Sequence, residues 1–215
     1  MSKDIFKKIT IVSDNIVISK VANELSERFN ILDCITLQKC TRMAYVLYLL
    51  EHTDIALQVT STVENVAFTN NYNTWTWIER LLVLKSRIEC INGNTSFRNK
   101  LQTVIAPAIL NTGDDLQQKI NRSVFDRMLR GEGFLKDAEI EVQQAIENNN
   151  IINEFYNRFM YNLYLCELSE YGGSETFPVA KAESLILSNQ VRLKYLLIAM
   201  MSNHEQIFDD FLNIK

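Results

Sequence analysis

The side chains able to do chemistry are few, and their spacing assembles no familiar constellation. Only His52 and His204 can act as neutral-pH bases, and each falls at a helix junction predicted from sequence, where solvated or capping histidines are common. No Glu-x-x-His pair suits a helical di-metal site, and no GxSxG marks a nucleophilic serine. Gly131-Glu132-Gly133 has neither the third glycine nor the preceding strand of a phosphate loop. Cys34, Cys40, Cys90 and Cys166 are scattered through apolar stretches with no CxxC, as expected of buried, reduced thiols. No catalytic residue, cofactor or metal is therefore assigned.

What remains is recognition. Four residues are candidates for contacting a partner: Asn73, Trp75, Glu139 and Glu141. Trp75 opens a helix beside the amide run Asn70–Asn73, and its short strip through Ile78 and Leu82 meets Ser86 and Glu89. That pattern predicts a tryptophan at the edge of burial, a residue type that often anchors interfaces. Trp77, in line with Leu81, Leu84 and Ile88, is expected deep in the core. Glu139 and Glu141 stand on the outer side of an acidic helix, where a basic partner would be steered electrostatically. The most basic stretch, Lys119 to Arg130, lies toward a helix C-terminus, which the macrodipole favours without any nucleic acid.

Helices must position these residues. Only 6 Gly and 2 Pro occur in 215 residues, leaving little material for turns and favouring a few long elements. Asn73–Cys90 carries both tryptophans and is apolar on two sides, so it is read as the centre on which other helices pack. Ile5 to Phe29 fits a helical face with drift, although KITIVS and NIVIS around Asp14-Asn15 also suit a hairpin. No later strands exist for a hairpin to join, which favours helix. Asp33 caps a helix to about Glu51, and Ile55, Val59, Val63 and Val66 stripe the next to about Phe68.

Asn92-Gly93-Asn94-Thr95 is the clearest boundary, with Thr95 as the cap that follows. Pro107 disturbs the helix after it, and Asn111–Asp114 repeats the stop-and-cap chemistry. Leu116, Ile120, Val124 and Met128 stripe the next helix, and Phe134 to Ile146 line another. Aromatic residues from Phe155 to Tyr164, a loop at Tyr171–Ser174 and two further helical patterns complete the chain. The prediction is an all-α fold of nine or ten helices in antiparallel hairpins, stacked as a superhelix or irregular bundle. Residues 1–215 form one domain, with a soft subdivision near 111–114.

The segment from Ala44 through Asp54-Ile55-Ala56-Leu57 resembles one unit of a tetratricopeptide-type repeat, over about thirty residues. In that family small residues on two successive helices let them approach closely, and Ala44 and Ala56 have suitable spacing. The resemblance implies a scaffold that binds other proteins. One repeat length on, Ile78 and Cys90 stand in place of small residues.

A net charge of −4 argues against a generic nucleic-acid binder. The charged start MSKDIFKK is unlike a signal peptide, and the apolar runs Met43–Leu50 and Tyr195–Met201 are too short to span a bilayer. The expectation is a cytoplasmic, non-enzymatic protein that binds another protein, such as an immunity protein blocking a basic toxin domain or a regulatory adaptor. An enzyme with a cleft between helical halves, or a helical DNA-binding regulator, is the alternative.

Overall fold

The computed structural model describes residues 2–130 and 132–150, with 154, 157 and 158. The described chain is helical, with no strand among these residues. The described residues cluster into two compact units, which divide between Gly93 and Asn94. The passage from first to second falls at the Asn92–Thr95 boundary. The softer subdivision expected at 111–114 lies inside the second unit.

In the first unit α1 (Ser2–Val12) folds back on α2 (Ile16–Arg28). Phe6 near the start of α1 meets Phe29 at the end of α2, ring centroids 5.3 Å apart. The hairpin of strands considered for this region is absent. Periodicity overran one feature, however: the helix breaks at Ser13–Asn15, because the Asn15 side chain accepts from the backbone N–H of Val17 and Ile18 and starts a new helix. The drift of the apolar face was that break.

Asp33 caps α3 (Cys34–Leu49) as expected, accepting from the N–H of Ile35 and Thr36. At its end Glu51 adopts φ 65°, and the N–H groups of His52 and Glu51 donate to Leu47 O and Tyr48 O. This is a Schellman closure with glutamate in the place glycine usually takes. It turns the chain into α4 (Thr53–Thr60), which packs on α3 with Ala44 and Ala56 both fully buried. α4 also touches α1.

α4 stops well before Phe68. Thr60 and Ser61 hydroxyls donate to Leu57 O, and Thr62 Oγ1 donates to Val59 O, so three consecutive hydroxyls compete for the carbonyls that would continue the helix. A single 3-10 turn (Ser61–Val63) follows, then irregular chain to the left-handed Asn70.

α5 (Tyr72–Ile91), capped by the Asn71 side chain on Thr74 N–H, packs on α3 and α4. Every residue from Leu81 to Ile88 is buried, as befits a helix enclosed on more than one side.

In the second unit α6 (Ser96–Lys100) is capped by Asn94 Oδ1 accepting from Ser96 N–H, whereas Thr95 makes no side-chain cap. It continues through a π turn (Leu101–Ile105) into α7 (Ala106–Leu110) without a break. Pro107 has no N–H for the Thr103 carbonyl and its ring would crowd that carbonyl. The wider π turn just before it, with Ala106 N–H donating to Leu101 O, accommodates both. α8 (Asp115–Arg130) and α9 (Glu132–Glu147) form a hairpin, and α8 also packs on α7. With α6, the π turn and α7 taken as one, the described residues contain eight helices. The aromatic series from Phe155 to Tyr164, the loop expected at Tyr171–Ser174 and the two further helices expected after it fall outside the described residues.

Candidate functional site

The start of α5 reverses the expected facing of the two tryptophans. Trp75 is only 2% exposed and stands edge-on to Phe68, ring centroids 4.9 Å apart at 78°. Trp77 is half-buried. The cause is the early end of α4: the freed chain from Glu64 to Asn71 folds against α5 and brings Phe68 over Trp75. Ile78 and Leu82 continue that buried side.

The side expected to fade into solvent is instead closed by charge. Lys85 donates to Ser61 Oγ at 3.0 Å and pairs with Glu89 at 2.8 Å and Glu64 at 3.6 Å. These contacts fasten the 3-10 turn and the linker to α5, and they surround a lysine that would be costly to bury alone. Trp75 is thus a core residue and not an exposed anchor. Asn73 is exposed, and its backbone carbonyl accepts from Cys34 Sγ at 3.6 Å.

Trp77 has a different environment, which the apolar pattern did not disclose. The guanidinium of Arg80 lies 4.9 Å from its ring centroid and that of Arg42, from α3, 5.8 Å. Thr41 Oγ1 approaches the Trp77 carbonyl at 3.4 Å. Two turns on, Arg87 Nε donates to Tyr48 Oη at 3.1 Å. Glu79 is fully buried on the same helix. The α3–α5 contact therefore carries a polar seam alongside its apolar one. The signal was present as charges interrupting an apolar helix, but periodicity alone weighs them as surface.

Glu139 and Glu141 are both exposed on α9. They diverge by about 200° around the helix, so only Glu139 shares a face with Gln143 and Glu147, which are joined by a 3.2 Å hydrogen bond. Ile140 and Ile146 border that acidic strip at 55% and 40% exposure.

Among the described residues, chemically reactive groups are not brought together. No group of three or more His, Cys, Asp or Glu among the described residues could hold a metal. His52 is exposed at the α3–α4 turn, and His204 lies outside the described residues. Cys40 is completely buried and its thiol is pushed up to about 12 by desolvation, only partly opposed by a hydrogen bond with Thr62. It is therefore a protonated core thiol without nucleophilic character. No helix of the described residues is long and apolar enough to cross a membrane.

The described residues form an all-helical array of packed hairpins. The chain belongs to the family of unknown function DUF6707, whose model matches residues 2–194. No curated protein and no solved structure matches it.

Proposed function

We propose that this protein is a non-enzymatic, cytoplasmic binder of another protein, with the outer strip of α9 as the contact. The observation that carries this reading is the exposure of Ile140 and Ile146 beside Glu139 and Glu147. Apolar anchors flanked by one sign of charge suit a basic protein surface: the isoleucines supply burial and the carboxylates speed encounter. The resemblance of Ala44–Leu57 to a tetratricopeptide-type unit supports the same class of function. An immunity protein that blocks a basic toxin domain, or a regulatory adaptor, is the form this activity takes.

The test is affinity purification of the tagged wild type beside a Glu139→Lys/Glu147→Lys variant, with bound proteins identified and then purified for direct binding. A basic protein that binds the wild type and is lost by the variant, at equal melting temperature, supports the reading. Equal binding to both removes α9 as the site.

A further inference from the structure

Ile11 and Val12 end α1 and Ile16 begins α2, so three aliphatic residues meet at one end of this hairpin. They are exposed to 85%, 49% and 83%. The core faces of the two helices explain why. Ile5, Phe6 and Ile9 are buried on α1, and Ile18, Val21 and Leu25 on α2. Ile11 lies about 200° round from Ile9, and Ile16 about 200° round from Ile18. Since α1 packs on α2 and α4, and α2 on α1 and α3, both isoleucines stand on the side turned away from the α3–α4 pair.

A collar of one charge surrounds this tip. Lys7 and Lys8 precede Ile11 and Val12 by one turn, and Lys20 follows Ile16 by one turn. All three lysines are exposed, and none makes an ion pair among the described residues. Glu24, one turn beyond Lys20, is held instead by Lys39 of α3 at 2.7 Å. Asp14 is the one carboxylate at the tip itself, and Asp4 lies a turn further from it than Lys8. The tip is thus locally positive on a chain whose net charge is −4.

That sign selects an anionic surface, and two features select a bilayer over a protein. Isoleucines exposed to 85% and 83% stand proud of the hairpin, so they can sink among acyl chains without a shaped counterpart. The backbone at the break is also satisfied from within. Ser13 N–H donates to Ile9 O, Asn15 N–H to Ser13 Oγ, and the N–H groups of Val17 and Ile18 to Asn15 Oδ1, while Ser19 Oγ donates to Ser13 O. A turn whose hydrogen bonds are already made loses little on leaving water for the boundary between headgroups and acyl chains. We infer that the α1–α2 elbow docks on an anionic lipid bilayer, with Ile11, Val12 and Ile16 entering the interface and Lys7, Lys8 and Lys20 meeting the charged headgroups. Apolar insertion and a basic collar are the two signals that reversible peripheral binding combines. This site is separate from the α9 strip, and its failure would leave the protein-binding reading standing.

Co-flotation of the purified protein with lipid vesicles at low salt tests the docking, with the melting temperature of every variant checked. The wild type is expected to float with vesicles of phosphatidylcholine and phosphatidylserine in equal parts, and to stay behind with phosphatidylcholine alone. Ile11→Ser/Ile16→Ser is expected to bind the mixed vesicles at least about tenfold more weakly. Lys7→Gln/Lys8→Gln/Lys20→Gln is expected to lose about fivefold per lysine, roughly a hundredfold in all. Every substituted side chain is exposed, so the melting temperatures should stay equal. A wild type that ignores the mixed vesicles or floats equally with both kinds, or variants that bind as the wild type does, would overturn the inference. So would a purified acidic protein that binds the wild type, is lost by both variants and leaves the vesicles unbound, since the tip would then belong to a protein.

Discussion

The Phe68 ring stands edge-on to the Trp75 indole, 4.9 Å between centroids, and this contact between an irregular linker and α5 decides which tryptophan belongs to the core. Trp75→Ala removes a large side chain from a site that cannot easily collapse and should cost about 3–5 kcal/mol. Trp77→Ala loses a half-exposed ring and its guanidinium neighbours and should cost about 1–2 kcal/mol. Urea denaturation of both variants measures the difference, and an equal or larger cost at Trp77 would contradict the facing described.

The same contact shows where sequence reading ends. Caps were legible because they are local: Asp33 binds N–H groups two and three residues away, and Asp114 with Gln117 makes a reciprocal pair at the start of α8. The burial of Trp75 was not, because it depends on chain leaving α4 early and returning to cover it. The hydroxyl run Thr60-Ser61-Thr62 was the available signal, and the valine stripe outweighed it. On α9 the period placed Glu139 and Glu141 outward, where they are exposed, but it also placed Ile146 inward with Ala145, and only Ala145 is buried while Ile146 is 40% exposed. On α8 Leu116 and Ile120, expected inward with Val124, are exposed, because Asn121 donates to the Ile109 and Thr112 carbonyls and takes the inward position.

Lys85 should be the most sensitive charge in the first unit. Lys85→Met leaves the Glu89 and Glu64 carboxylates facing a partly buried site without their cation, at a cost of about 2–4 kcal/mol. The double variant Lys85→Met/Glu89→Gln should recover part of that loss. A double variant less stable than the single would show that the ion pair does not link the turn to α5.

Cys40 makes stability fall in alkali. Its pKa in the folded chain is about 12 against an ordinary 9.0, so folding holds the proton more tightly than the unfolded chain does. That contribution is fully present below pH 9.0 and is lost as pH rises toward 12, at most about 4 kcal/mol in all. Denaturation midpoints between pH 8 and 11 should fall more steeply for the wild type than for Cys40→Ala. Parallel curves would exclude the thiol as the cause.

Two glycines in the left-handed region should differ in their tolerance of a side chain. Gly93, at φ 79°, has nothing within 4 Å of an added Cβ, so Gly93→Ala costs only backbone strain, about 1–2 kcal/mol. Gly113, at φ 86°, would drive its Cβ into the Gln117 side chain that accepts from Asp114 N–H. Gly113→Ala should therefore cost about 2–4 kcal/mol and loosen the start of α8. Thermal melts of the two variants check the order, and a milder effect at Gly113 would mean that the cap readily rearranges.

The proposed recognition of a basic protein rests on the exposed acidic strip of α9. Its most direct measurement is the association rate of the purified partner with the wild type and with Glu139→Lys/Glu147→Lys, across a series of salt concentrations. Electrostatic steering predicts a wild-type rate that falls as salt screens it, and a variant that is slower at low salt and nearly insensitive to salt. Identical rates and identical salt dependence for the two proteins would contradict it.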